Sequence, residues 1–101
     1  MNIIEKKDSL FNIVLRYLPY KITENLKRIY LDINMDLNRM MLTAYYEKEP
    51  SELEKELLDD IATNSNAPIP DFFVNYHIKL VKEHNKNEKH DFVVFSVFEE
   101  I

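Results

Sequence analysis

With 101 residues, 46% of them apolar and 31% charged, the chain is long enough for one domain with a real core and too short for two. The absence of cysteine excludes disulfides, thiolate catalysis and cysteine-ligated metals. The absence of glycine excludes phosphate-binding loops, dinucleotide fingerprints and nucleophile elbows, which need positive φ or close backbone approach.

A net charge of −5, from 18 acids and 13 basic residues, argues against sequence-independent nucleic-acid binding. The opening MNIIEKKDSLF becomes charged after four residues and lacks the apolar core of a signal peptide. Nowhere do about 18 apolar residues run together, so no membrane span is expected. The expectation is a cytoplasmic protein.

Residues 8–18, DSLFNIVLRYL, set Leu10, Ile13, Val14, Tyr17 and Leu18 at helical spacing, with Asp8 or Ser9 as N-cap and Pro19 as stop. Residues 26–35, LKRIYLDINM, switch to period two. Ile29, Leu31, Ile33 and Met35 face one way, and Arg28, Tyr30, Asp32 and Asn34 the other, as in a half-buried strand. DLN at 36–38 reads as a tight turn into a second strand at 39–47, RMMLTAYYE, closing a hairpin. In the following EKEPSELEKELLDDIA, Pro50 stands near the first turn and Ser51-x-x-Glu54 forms a capping box. Leu53, Leu57, Leu58, Ile61 and Ala62 line one stripe of an amphipathic helix of roughly 12 to 14 residues. TNSNAPIPD at 63–71 is a loop. Residues 72–83 alternate, with Val74, Tyr76, Ile78 and Leu80 on one face. HNKNEKH at 84–90 is a polar turn, and DFVVFSVF at 91–98 supplies the last strand of a second hairpin. The prediction is a single 1–101 domain of the α+β class. It is a two-layer sandwich with two helices on one face of an antiparallel four-stranded sheet, in the order α-β-β-α-β-β.

Residues 47–62 hold seven acids (Glu47, Glu49, Glu52, Glu54, Glu56, Asp59, Asp60) against Lys48 and Lys55; the rest of the chain has eleven of each sign. The whole charge imbalance sits in this segment. It reads either as a solvated face of good helix formers or as a docking surface for a basic partner. Nucleases are basic because their substrate is a polyanion, and an acidic helix fits such a cleft in place of nucleic acid. Tyr45 and Tyr46 are consecutive in a strand, so one of them should face away from the helices, as should Tyr30; exposed aromatics beside charge resemble protein-binding hot spots. His84, Glu88 and His90 are a conceivable metal-ligand set, but their i, i+6 histidine spacing fits no established pattern, and a solvated turn is the simpler reading. Asp59 and Asp60 point about 100° apart on a helix and cannot share one site. Ser9, Ser51, Ser65 and Ser96 lack a context that would hold a base against them. No catalytic residue, cofactor or metal is expected, and the protein should not be an enzyme.

The run YYEKEPSELEKELLDDIATNSNAPIPDF, preceded by LPYKITENLKRIYLDIN, resembles the centre of small immunity proteins of bacterial contact-dependent growth inhibition systems. The likeness lies in order and motif over roughly residues 10–98: a first helix feeding a strand, a strand ending in aromatics, an E-P-S-E-type acidic helix, a proline-bearing connection and a closing hairpin. The resemblance implies a cytoplasmic protein without catalysis that binds and blocks the C-terminal toxin domain of a secreted adhesin, a domain that is often a nuclease acting on tRNA or DNA. Such a protein neutralises its cognate toxin by stoichiometric complex formation. Here Glu47, Glu49, Glu52, Glu56, Asp59 and Asp60 would be electrostatic contacts and Tyr45 and Tyr46 apolar anchors. No direct contact with nucleic acid or membrane is implied, and the free protein would be a monomer or weak dimer. The alternatives are a small metal-binding protein or enzyme built on the 84–90 turn, and a structural subunit that associates with itself through an edge strand.

Overall fold

The period-two alternation of the first hairpin builds the centre of the molecule. In the computed structural model, which describes residues 2–97, β1 (Leu26–Asn34) and β2 (Arg39–Tyr46) pair antiparallel, from Leu26 opposite Tyr46 to Asn34 opposite Arg39. Between them the Asn34 side chain accepts the Leu37 N–H at 3.1 Å, and Asn38 takes the positive φ of 52° that asparagine tolerates. Ile29, Leu31, Ile33, Met40, Leu42 and Ala44 turn inward and are buried.

Helix α1 (Ile3–Arg16) begins earlier than the Asp8 or Ser9 expected from the apolar stripe. Asn2 caps it by accepting the Glu5 N–H at 2.8 Å, and the first turn exposes Ile3 and Ile4, which leaves no stripe to read. Leu10 and Val14 reach the core, and Phe11 stacks on Phe92 with ring centroids 4.4 Å apart. Helix α2 (Glu52–Asn66) has the expected capping box at Ser51 and Glu54 but runs on through TNSN until Pro68 stops it. Its buried stripe is Leu58, Ile61, Ala62 and Ser65. Leu53, expected in that stripe, is 62% exposed, because it stands about 140° around the helix from Leu58. Glu54 takes the inward position in the first turn, accepting the Thr23 hydroxyl at 2.6 Å and the Asn25 amide at 3.3 Å.

The second expected hairpin does not form. β3 (Phe73–Leu80) pairs parallel with β2, from Arg39 opposite Phe73 to Tyr46 opposite Leu80, so β2, α2 and β3 make a crossover unit. β4 (Phe92–Ser96) pairs antiparallel with β1, with a bulge where Val94 is buried, and Phe98 of the expected strand lies outside the described residues. The strand order in space is β3-β2-β1-β4. The sheet is therefore mixed rather than antiparallel, and a 3₁₀ turn (Val81–Glu83) interrupts the chain order expected between the last two strands. Both helices contribute to one apolar cluster with the inward residues of the sheet, as a two-layer α+β fold requires.

Because β3 and β4 occupy opposite edges, residues 81–91 cross the helix-free face, a width of roughly 14 Å at three strand spacings. Tyr30 anchors this strap. Its ring stacks on His90 at 3.9 Å between centroids and lies 5.7 Å from that of His84, while Tyr45 meets His84 edge-on at 4.9 Å. Arg28 Nη1 donates to the Tyr30 hydroxyl at 2.8 Å, leaving the hydroxyl proton for His84 Nε2 at 2.6 Å. His90 Nδ1 lies 2.7 Å from Asp32, which also accepts the Asp91 N–H at 2.9 Å. Asp91 in turn accepts the Ile33 N–H at 2.8 Å and pairs with Lys7 of α1 at 3.3 Å. Burial and then the Arg28 and His90 charges push the His84 imidazole below its ordinary value, against a smaller upward pull from Glu88.

Two consequences are measurable. Leu58→Ala should destabilise the protein by about 2–5 kcal/mol, as truncations of fully buried leucines do, whereas Leu53→Ala should change stability by no more than about 0.5 kcal/mol. Urea unfolding of the two variants checks the facing of α2. The second consequence concerns pH. Unfolded, His84 takes up a proton near 6.5; folded, it resists until lower pH, so the stability it contributes is intact above about 6.5 and is lost as the pH falls below it. The gap in urea midpoint between the protein and His84→Gln should be open at about pH 7.5 and narrow by about pH 5. Parallel pH profiles would show that His84 is not held neutral.

Candidate functional site

The inward turn of Glu54 sorts the acids of 47–62 into two groups. Burial raises the Glu54 carboxyl, but hydrogen bonds from Thr23, the Ser51 backbone and Asn25 outweigh it and hold the group below the ordinary glutamate range. This carboxylate fastens α2 to the 23–25 segment and is unavailable to a partner. Glu52, Glu56, Asp59 and Asp60 lie on the outward side, all exposed, around a shallow recess completed by Lys55 and Tyr76. Lys55 pairs with Glu52 at 3.3 Å and Lys21 with Asp60 at 3.1 Å. The Tyr76 hydroxyl donates to Asp59 at 3.2 Å, and burial followed by this carboxylate raises its pKa. Glu56 makes no ion pair with any described residue. Such surface pairs contribute about 0–1 kcal/mol each, so the face keeps a net negative field at little expense to the fold.

Glu47 and Glu49 are exposed on the connection ahead of α2. Glu47 lines a separate groove at the end of the sheet with Ile22, Lys48, Phe95 and Val97 rather than the α2 recess. Tyr45 and Tyr46 are not surface anchors: they are 1% and 2% exposed. Tyr46 points into the core, where burial, then Glu54 and Tyr76, push its hydroxyl up to about 12. Tyr45 points to the helix-free face as its phase requires, but His84 of the strap covers it; burial, and then Glu88, raises its pKa. Tyr30, 7% exposed, is covered in the same way.

The turn read as a conceivable metal site is the strap itself. His84 and His90 are engaged by Tyr30 and Asp32, and Glu88 lies 3.6 Å from His90 Nε2. Among the described residues no group of three or more histidine, cysteine or acid side chains is arranged to hold a metal ion. Among the same residues no helix is long and apolar enough to cross a membrane.

The structure also brings to the acidic face residues that the sequence did not single out. The 19–25 loop is clamped along α2 by the Lys21–Asp60 pair and the Thr23–Glu54 hydrogen bond. It presents Tyr20, 98% exposed, beside that face, while Ile22 lines the separate groove at the end of the sheet and Leu53 is exposed in the first turn of α2. The available signal was LPYK, a proline turn in a chain without glycine to complete it.

The described face is thus acidic, with an exposed tyrosine on the loop beside it. A protein-family model described as MafI2 immunity protein matches residues 7–99, from within α1 through β4. No curated protein matches the chain. The match bears out the resemblance to small immunity proteins carried by YYEKEPSELEKELLDDIATNSNAPIPDF, and a family of this kind implies a toxin protein as partner and inhibition rather than catalysis. The chain belongs to the MafI2 immunity protein family.

Proposed function

We propose that this protein neutralises a basic toxin domain, a nuclease of a contact-dependent growth inhibition system, by forming a one-to-one complex in the cytoplasm through the outward face of α2. The observation that carries the reading is the grouping of Glu52, Glu56, Asp59 and Asp60 around one open recess, in a chain whose net negative charge lies wholly in residues 47–62. Charge of one sign on an open surface steers an oppositely charged partner and raises its association rate. A nuclease active site is positive because it holds a polyanion, so the surface that binds nucleic acid is also the surface this helix fits. Glu47 and Glu49 extend the negative field beyond the helix N-terminus. Tyr45 and Tyr46 act in this reading only by setting the sheet beneath α2.

The test uses the cognate toxin domain as the probe. A variant with Glu52→Gln, Glu56→Gln, Asp59→Asn and Asp60→Asn should keep its urea midpoint close to that of the parent, since exposed substitutions change stability by about 0.5 kcal/mol or less each. It should bind the toxin at least tenfold more weakly, about 1.4 kcal/mol, mainly through slower association with a reduced dependence on salt. A control with Asp36→Asn and Asp71→Asn, exposed acids away from α2, should bind as the parent does. Equal binding and equal protection of cells by the four-site variant would move the interface off α2.

A further inference from the structure

We infer that Tyr20 is an apolar anchor for the toxin, seated in a pocket rimmed by lysine and arginine, and that the protein is less stable for carrying it. The inference rests on the proposed docking through α2 and extends it to the loop beside that helix.

Tyr20 is 98% exposed, the most exposed large apolar residue among those described. Its backbone stands at φ 68°, in the left-handed region that disfavours a residue with a side chain. The Lys21 N–H bonds the Leu18 carbonyl at 3.0 Å, closing a four-residue turn with Pro19 second and Tyr20 third. With positive φ in third place, such a turn ordinarily carries glycine or asparagine there. The other positive-φ residue described, Asn38, is an asparagine. The turn itself therefore does not call for tyrosine, and the ring makes no packing contact that would offset the strain. Its side chain has to be explained by something outside the folded chain, and strained backbone of this kind gathers at functional sites.

Its neighbours name the partner's chemistry. The adjacent Lys21 sits on Asp60 at 3.1 Å, which fixes the turn beside the α2 recess. Two positions on from Tyr20, Ile22 is also exposed. An exposed tyrosine on a turn beside an acidic recess fits an apolar pocket with a basic rim, whose cations can pair with the carboxylates and lie over the ring. A rigid aromatic seated in a pocket governs dissociation, whereas the surrounding charges govern association.

Tyr20→Asn separates these roles, because asparagine suits the turn and lacks the ring. Its complex with the cognate toxin domain should dissociate at least tenfold faster, with the association rate and salt dependence little changed. The free variant should unfold at higher urea than the parent, and Tyr20→Phe should retain the slow dissociation. An unchanged dissociation rate, or a urea midpoint that does not rise, overturns the inference. So does a parent dimer in solution that Tyr20→Asn converts to monomer, since the occupant would then be a second copy of this chain. If the four-acid variant associates slowly while Tyr20→Asn dissociates as the parent does, the anchor fails and the acidic docking surface stands. If the four-acid variant binds normally while Tyr20→Asn dissociates quickly, the acidic reading fails and the anchor stands.

Discussion

The parallel pairing of β3 with β2 decides the rest of the architecture. It fills the free edge of β2, and β4 joins the sheet at the opposite edge, beside β1. The chain must then cross the face that the helices leave open, and Tyr30 supplies the ring on which the crossing segment rests. That segment brings His84 to the part-buried Arg28–Tyr30 hydrogen bond and His90 and Asp91 to Asp32, and it shelters Tyr45. A face that would otherwise be a natural platform for another protein is closed by the chain's own residues. On the helix side the outward charge and the tyrosine-bearing loop remain open surface.

How much of this was legible in the sequence follows from the range of each interaction. The inward and outward phases of β1, the Ser51–Glu54 capping box and the existence of both helices are local properties, and each could be read from residues a few positions apart. Strand direction is not local. Nothing in FFVNYHIKLVKE says whether β3 lies beside β2 or beside β4, and HNKNEKH has the polar composition of a hairpin turn and of a strap alike. The misplacement of Tyr45 follows from that: its phase was right, and only the unforeseen strap buries it. Leu53 failed differently. In the first turn of α2 a carboxylate with three donors competes with a leucine for the inward position, and hydrogen bonding across to Thr23 and Asn25 prevails over apolar patterning. The acidic face was legible as charge, but the loop that borders it was not, because only contacts made in the folded chain, Lys21 with Asp60 and Thr23 with Glu54, reveal the two as neighbours.

The acidic segment thus answers to two demands. Glu54 spends its charge inside the molecule, where it ties a helix start to the strand entrance. The outward acids do little for the fold, and the helix under them stays in place through Leu58, Ile61 and Ala62. A surface whose residues are decoupled from the core can change its charge pattern without loss of structure.

The bond between Lys7 and Asp91 spans 84 positions, and the ladder pairs Leu31 with Phe92, 92 − 31 = 61 positions on. Contacts of such separation are closed late, because the loop entropy must be overcome before they contribute. Until β4 docks, β1 presents an open row of backbone donors and acceptors beside apolar side chains, which invites pairing with a neighbouring chain. The last strand is in this sense the molecule's own chaperone against intermolecular pairing, and the strap that delivers it sets how long the exposed interval lasts.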